Sequence, residues 1–154
     1  MAWQTILIAA AAGYFIGSIS MARLIVRIFA PGKDITRTEV ELEGSDKAFD
    51  MGIVSATTVS IHLGSKYGFI TMLLDMVKII VPVLTIKYIY PAHPYFLITA
   101  VTGMIGHIWP VYYRFQGGRG ILAVYGGLFA IDWIGVCVTS IGGMIFGLFV
   151  LRDV

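Results

Sequence analysis

A glycine-rich segment between residues 106 and 120 carries the groups best suited to binding an anion. Gly117, Gly118 and Gly120 surround Arg119, just ahead of a helical stretch. Glycines let backbone approach a ligand closely, and the N–H groups of a helix amino terminus can converge with a guanidinium on a phosphate. We therefore predict a phosphate cradle here, although glycine-rich turns are also common in membrane proteins. His107 precedes the turn and is either a hydrogen-bonded histidine at a membrane interface or part of the site.

Two further polar groups lie inside apolar segments. Asp75 and Lys78 are three residues apart, which places them on one helix face and within reach of each other. They form either a buried ion pair that locks a helix bundle, or a site in which Lys78 faces an anionic ligand while Asp75 holds it. Ser18 and Ser20 form a weaker cluster, since serine hydroxyls in a span often bond only to their own helix backbone.

The elements that must position these residues are membrane helices. The chain has 154 residues, of which 58% are hydrophobic and 13% charged, too apolar for an ordinary soluble domain. The net charge of +2 comes from scattered residues without a basic run, which argues against nucleic acid as a partner. A single cysteine, Cys137, excludes a disulfide framework and a cysteine metal site.

The hydrophobic segments predict an all-α, polytopic membrane helix bundle forming one transmembrane domain over residues 1–154. A span needs roughly 20 mostly apolar residues. Four segments qualify: Ala2–Ile28, Phe69–Tyr90, Tyr95–Val111 and Trp133–Leu151. Two others, Met51–Leu63 and Gly120–Ile131, are too short or too polar and are predicted to be re-entrant or half-depth helices. Glycine pairs at 13 and 17 and at 142 and 143 predict close helix packing. The first segment lacks a basic start and is interpreted as a mature span, not a signal peptide.

The distribution of cations predicts the orientation. With these spans, one side of the membrane holds Lys33, Arg37, Lys47, Lys66, Arg114 and Arg119, and the other holds Lys87 and Arg152. The positive-inside rule then puts the amino terminus outside and the polar clusters on the cytoplasmic side. The long loop Pro31–Asp50 lies on that side too, and its glutamates at 39, 41 and 43 are expected to form a solvated face.

In their order along the chain, these clusters resemble the bacterial acyl-phosphate-dependent glycerol-3-phosphate acyltransferases, the PlsY family. The first block, from Gly17 to Ile25, is similar to the family's Gly-Ser-Ile-Pro motif, with Ser20 in place of the proline. Gly32-Lys33-Asp34-Ile35 looks like its Gly-x-Asp-Ile-Arg, with Arg37 one place beyond the expected arginine. Leu73–Lys78 is similar to Leu-Leu-Asp-x-x-Lys. The segment from Gly106 to Gly120 matches best, with Arg119 where the family has lysine.

One block departs from the family pattern. The family's phosphate loop, Gly-Ser-Gly-Asn-x-Gly-Ala-Thr-Asn, should fall at Asp50–Thr58, where Gly52, Ala56 and Thr57 agree. Ile53 and Thr58 stand where the two asparagines belong, and Asp50 adds a negative charge. Family members also run on by tens of residues, so a chain ending at Val154 is expected to be a fragment or a short form.

The resemblance implies acyl transfer from an acyl phosphate to the 1-hydroxyl of glycerol 3-phosphate, giving lysophosphatidic acid for phospholipid biosynthesis at the plasma membrane. It implies no cofactor and no metal. Catalytic roles would fall to Ser18, His107 and Arg119. Substrate binding would fall to Lys78, Asp75, Gly117, Gly118, Gly120, Gly52, Thr57 and Arg37. Two alternatives remain: an inactive homologue that binds phospholipid or phosphate, and a small transporter subunit.

Overall fold

The computed structural model describes residues 2–41, 48–50 and 52–151 and is built almost entirely of helices. The seven α-helices are α1 (Trp3–Gly17), α2 (Met21–Phe29), α3 (Ala56–Leu63), α4 (Ser65–Ile89), α5 (Tyr95–Ile108), α6 (Ile121–Ile131) and α7 (Trp133–Phe146). A 3₁₀ turn covers Val111–Tyr113, and α7 continues as a π-helical turn over Gly147–Leu151. The predicted positions of Glu43, Lys47 and Arg152 lie outside the described residues.

Four helical segments are long and apolar enough to cross a membrane. They are Trp3–Phe29, Ser65–Ile89, Tyr95–Tyr113 and Trp133–Val150. Helix α4 alone has 25 residues, about 37 Å of helix against roughly 30 Å of hydrocarbon. Helices α3 and α6, with 8 and 11 residues, are too short to cross alone. The four predicted spans and the all-α class are confirmed, and the protein is a multi-pass membrane protein.

The loop between α2 and α3 contains two short strands that the sequence did not predict. Strands β1 (Glu39–Glu41) and β2 (Ala48–Asp50) pair antiparallel, with Glu39 opposite Asp50. Nearer α2, the Lys33 ammonium donates to the carbonyl of His62 at 2.8 Å, which ties the loop to the end of α3.

The first span is not one continuous helix. Helix α1 ends at Gly17 and α2 begins at Met21, with Ser20 as its N-cap. The Ser20 hydroxyl accepts from the backbone N–H of Arg23 at 3.4 Å, while the Ser18 hydroxyl donates to the Tyr14 carbonyl at 2.8 Å. Serine side chains compete with the helix for backbone partners. The first predicted span therefore consists of two helices with a break at Ser18–Ser20, which the apolar run Ala2–Ile28 did not indicate.

Helices α1 and α5 pack at a distance that only glycine permits. A Cβ added to Gly13 would collide with the Thr99 carbonyl and the Thr102 hydroxyl, and one on Gly17 would collide with the backbone of Gly103. The Thr99 hydroxyl also donates to the Ala9 carbonyl at 3.2 Å across the interface. The predicted close packing at Gly13 and Gly17 is confirmed. Because the two helices pack so closely here, Ser18 at the end of α1 lies beside α5.

Helix α4 lies in the middle of the bundle and contacts α1, α2, α3, α5 and α6. Its Ile79 and Val83 pack against Ala123 and Ala130 of α6. At its far end the Lys87 ammonium donates to the carbonyls of Ala130 and Ile131, at 3.2 and 3.1 Å. A cation at a helix carboxyl terminus satisfies carbonyls that have no helical partner, so Lys87 fixes where α6 ends.

Helix α7 packs differently from the prediction. It packs against α6 and against the π-helical turn that follows it. Within the described residues of α7, Val136 is the buried one. A Cβ added to Gly142 or Gly143 would meet nothing within 4 Å. The two glycines predicted to be packing points therefore make no close helix contact among the described residues.

Alanine substitution at two helical glycines should separate the tight interface from the open one. Gly13→Ala places a methyl group against Thr99 and Thr102 and should lower the free energy of unfolding by about 1–3 kcal/mol. Gly142→Ala meets open space and should leave stability unchanged or raise it by up to about 1 kcal/mol. Thermal unfolding of both variants in detergent measures the difference, and equal transition temperatures would contradict the packing described.

Candidate active site

A cavity lies between α3, α4 and the start of α6. Its volume is about 530 Å³, which suits a small organic ligand. Five residues predicted from sequence line it: Thr57, Asp75, His107, Arg119 and Gly120. The hydroxyls of Ser55, Ser60 and Ser65 and the apolar side chains of Phe69, Met72, Ile121 and Leu122 complete the wall. The wall of the cavity thus combines polar and apolar side chains.

A second, much smaller cavity adjoins the first through two shared residues. It has a volume of about 10 Å³, room for roughly one water molecule. Asp75 and His107 line both cavities. The small one also contains other predicted residues, namely Ser18, Lys78, Gly117 and Gly118. These four therefore lie behind Asp75 and His107 as seen from the larger cavity, where a substrate would fit.

Asp75 and Lys78 form the buried ion pair that their spacing allows. The Lys78 ammonium is 2.7 Å from Oδ1 of Asp75, and both side chains are nearly inaccessible. The same ammonium donates to the carbonyl of Ile19 at 2.7 Å. That carbonyl lies in the break between α1 and α2, where no helical N–H is available to it. The interrupted first span therefore supplies the second partner that a buried lysine needs.

His107 is fixed by its backbone and by the glycines of the following turn. The N–H of Gly118 donates to the His107 carbonyl at 3.2 Å, and a Cβ on Gly118 would lie 2.5 Å from Nε2 of the ring. Nδ1 is 3.7 Å from Oδ1 of Asp75, longer than a hydrogen bond. Among the described residues, Nδ1 has no hydrogen-bond partner. Gly118 thus allows the imidazole to lie beside the carboxylate at the edge of both cavities.

The turn that follows α5 divides the predicted phosphate cradle. Arg114 and Phe115 have φ of 52° and 62°, in the left-handed region, and Gly120 has φ of 84° just before α6. The chain therefore reverses, so that Gly117 and Gly118 pack against His107 while Arg119 and Gly120 line the larger cavity. Gly117 and Gly118 therefore lie apart from Arg119 and Gly120, and binding of one phosphate by all three glycines with Arg119 stays a prediction. The cavity receives the exposed guanidinium and the amino end of α6.

The segment at residues 52–58 caps a helix. The Ser55 hydroxyl accepts from the N–H of Thr58 at 3.4 Å, and the Thr58 hydroxyl lies 3.3 Å from the N–H of Ser55, a reciprocal capping box. The Thr58 hydroxyl also donates to the carbonyl of Ile53 at 2.9 Å. Gly52 has φ of 58° and lines neither of the two cavities. Thr57 is the predicted residue of this segment that reaches the larger cavity.

Comparison with known proteins decides the family. The model of the family described as glycerol-3-phosphate acyltransferase matches residues 7–153. This chain belongs to that family. A glycerol-3-phosphate acyltransferase of Pelagibacter ubique is 33% identical over 127 residues, covering 82% of this chain and 59% of that protein. The chain thus spans about three fifths of the length of this relative.

Two crystal structures of PlsY, an integral membrane glycerol 3-phosphate acyltransferase, share the fold. The glycerol 3-phosphate form has a TM-score of 0.72 at 25% identity, with coverage of 91% of this chain and 65% of that one. The lysophosphatidic acid form has a TM-score of 0.68 at 25% identity, with coverage of 91% and 64%. The resemblance inferred from the sequence blocks is confirmed.

In this member of the acyltransferase family, the segment Gly32-Lys33-Asp34-Ile35 forms a local turn and lines neither of the two cavities. Oδ1 of Asp34 accepts from the N–H and the hydroxyl of Thr36, at 2.8 and 2.7 Å. Both hydrogen bonds lower the pKa of the Asp34 carboxyl below its usual value, and the bond from the backbone N–H has the larger effect. Arg37 is exposed and lines neither of the two cavities. Its contact with substrate stays a prediction, and the Lys33–His62 hydrogen bond ties this segment to the end of α3.

Sequence reasoning also missed residues of the site. Ser55 and Ser60 line the larger cavity, and Ser60 packs against Gly68 at the position where a side chain on that glycine would lie. Their signal was available, since Ala56, Thr57 and Ser60 share one face of a short helix. In the described residues, no three His, Cys, Asp or Glu side chains come together as metal ligands would.

Neutralising either member of the Asp75–Lys78 ion pair tests its contribution to stability. Asp75→Asn leaves the Lys78 ammonium buried without its counter-ion and should cost about 3–5 kcal/mol of unfolding free energy. Lys78→Met should cost a similar amount, because the carboxylate then lacks a cation. The double variant removes both charges and should recover most of the loss. Unfolding in detergent measures all three, and additive losses in the double variant would show that the two residues are not coupled.

Proposed function

We propose that this protein transfers an acyl group from an acyl phosphate to the 1-hydroxyl of glycerol 3-phosphate, releasing lysophosphatidic acid and inorganic phosphate. The observation that carries the proposal is the composition of the 530 Å³ cavity. It joins a guanidinium, an imidazole and a carboxylate to an apolar wall, which suits a substrate with a phosphate at one end and a hydrocarbon chain at the other. The names of the relatives point to the same reaction.

The chemistry needs little from the protein beyond positioning and charge. An acyl phosphate is already activated, so the glycerol hydroxyl oxygen can attack the acyl carbon directly. The new ester C–O bond forms as the C–O bond to phosphate breaks, and phosphate leaves with the bonding pair. Orientation of two bound substrates and stabilisation of the departing anion are the terms that lower the barrier. Neither a covalent enzyme intermediate nor a metal is required.

Each named group has a role in this scheme. Arg119, exposed in the cavity, binds a phosphate through charge-assisted hydrogen bonds, with Gly120 and the amino end of α6 beside it. His107 accepts the hydroxyl proton, and its Nδ1 lies near the Asp75 carboxylate, which stabilises the imidazolium that forms. Thr57 offers a hydroxyl on the opposite wall. Lys78 and Ser18 line the small cavity and position the site from there. Lys78 binds the Asp75 carboxylate and the Ile19 carbonyl in the break between α1 and α2.

The apolar side of the cavity would hold the acyl chain. Phe69 and Ile121 are more than half exposed, and Met72 and Leu122 line the same cavity. We propose that the donor enters from the membrane along these side chains and that glycerol 3-phosphate enters from water. The cation distribution supports a plasma-membrane protein with its site on the cytoplasmic side: Lys66 and Arg119 lie at one end of the bundle and Lys87 at the other.

A direct assay tests the proposal. Purified protein in detergent or vesicles is given a long-chain acyl phosphate and glycerol 3-phosphate, and lysophosphatidic acid and inorganic phosphate are both quantified. We expect equimolar formation of the two products, dependent on both substrates. Folded protein that binds glycerol 3-phosphate in calorimetry but forms no lysophosphatidic acid would support the rival function, an inactive phosphate-binding homologue. The capping role of Ser55 and Thr58 in place of the phosphate loop is the observation that motivates that rival.

Substitution of Arg119 tests its role. Arg119→Ala removes charge-assisted hydrogen bonds worth about 1.5–3 kcal/mol, so kcat/KM should fall by roughly 10- to 150-fold, mainly through KM. Arg119→Lys keeps the charge but loses the planar fork and should retain part of the activity. Arg114→Ala, in an exposed arginine of the same turn, serves as the control. Near-normal kinetics in both Arg119 variants would remove the residue from the site.

A further inference from the structure

The turn between α5 and α6 contains two adjacent residues in a sparsely populated backbone conformation. Arg114 and Phe115 occupy the left-handed region in succession, with φ of 52° and 62°. Residues other than glycine populate this region sparsely, and bulky ones least. Three local hydrogen bonds close the turn: the N–H groups of Tyr113 and Phe115 donate to the Pro110 carbonyl at 3.1 and 3.0 Å, and the N–H of Gln116 donates to the Tyr113 carbonyl at 3.0 Å. A turn of this kind persists when contacts from elsewhere determine it.

Arg23 of α2 supplies such contacts. Its Nη1 donates to the carbonyl of Gln116 at 3.0 Å, and its guanidinium carbon lies 4.5 Å from the centre of the Tyr113 ring. A planar guanidinium can stack on an aromatic face while donating in its own plane, which a lysine cannot do. Among the described residues, this is the one hydrogen bond that a side chain outside the turn makes with residues 111–116.

The segment that leads to Arg119 is consequently fixed at two points. Arg23 of α2 donates a hydrogen bond to the Gln116 carbonyl, and the N–H of Gly118 donates to the His107 carbonyl of α5 at 3.2 Å. Arg119 is the next residue and reaches the larger cavity, which Arg23 does not line. Loss of the first point would free the chain just before the guanidinium that binds phosphate.

We propose that Arg23 is a positioning residue, which clamps the turn at Gln116 and Tyr113 and thereby sets the place of Arg119. This inference rests on the proposed function for its kinetic consequence, but its structural part does not. Arg23 acts through Arg119 and makes no contact with substrate, so its effect must vanish once Arg119 has been removed.

Hydrogen exchange tests the clamp independently of catalysis. In purified full chain, Arg23→Met should speed exchange of the Gly118 amide by about 10-fold, because a hydrogen bond to a charged donor is lost. Arg23→Lys should show a smaller increase. Tyr113→Leu should raise exchange about threefold by removing the stacking surface, whereas Tyr112→Leu, in the adjacent exposed ring, should not. Unchanged exchange in both Arg23→Met and Tyr113→Leu would overturn the proposal, and the milder variants keep the test usable if Arg23→Met does not fold.

A double-mutant cycle tests the link to Arg119. Arg23→Met should lower kcat/KM by about 10-fold in the otherwise unaltered protein but by less than about twofold in an Arg119→Ala background. Independent, multiplying effects would mean that Arg23 binds substrate itself, and the positioning role would be rejected. If the unaltered protein makes no lysophosphatidic acid, the proposed function fails while the exchange measurement still decides whether Arg23 clamps the turn.

Discussion

A buried lysine with two partners is the constraint on which the rest of this structure depends. Placing an ammonium inside an apolar helix is unfavourable unless its donors are satisfied, and Lys78 satisfies them with the Asp75 carboxylate and the Ile19 carbonyl. The first partner comes from its own helix and fixes only a rotamer. The second comes from residues 59 positions earlier and exists only because the first span is broken. The ion pair and the break between α1 and α2 therefore require each other.

That requirement extends to helix packing. For the Ile19 carbonyl to reach Lys78, α1 must lie close to both α4 and α5, and the backbone contact at Gly17 and Gly103 allows this. The same closeness brings α5 to the level at which His107 lies beside Asp75. One carboxylate then faces an ammonium on one side and an imidazole on the other. Small residues far from the larger cavity thus determine which polar groups line it.

The parts of this arrangement that could be predicted from sequence are those set by local periodicity. Apolar length identified four spans, and the spacing of Asp75 and Lys78 placed the two side chains within reach of each other with an ion pair as one of two interpretations, because both depend only on helix geometry. The break at Ser18–Ser20 could not be recognised, since serine is compatible with a span and the partner that exploits the break is distant in sequence. The division of Gly117 and Gly118 from Arg119 was hidden for another reason. It depends on left-handed backbone conformations at Arg114 and Phe115. Arginine and phenylalanine rarely adopt this conformation, so the sequence does not indicate it.

The altered loop at residues 52–58 changes where anion-binding groups can come from. The family pattern has asparagines at positions 53 and 58, whereas here Thr58 and Ser55 use their hydroxyls to cap α3. Position 119 changes in the opposite direction, because an arginine offers five N–H donors in a rigid fork where a lysine offers three on a flexible stem. Donors are lost on the α3 side of the cavity and gained on the α6 side. A phosphate bound here would therefore lie nearer to α6, which makes the geometry of the turn before Arg119 matter more than it would in a member with an intact loop.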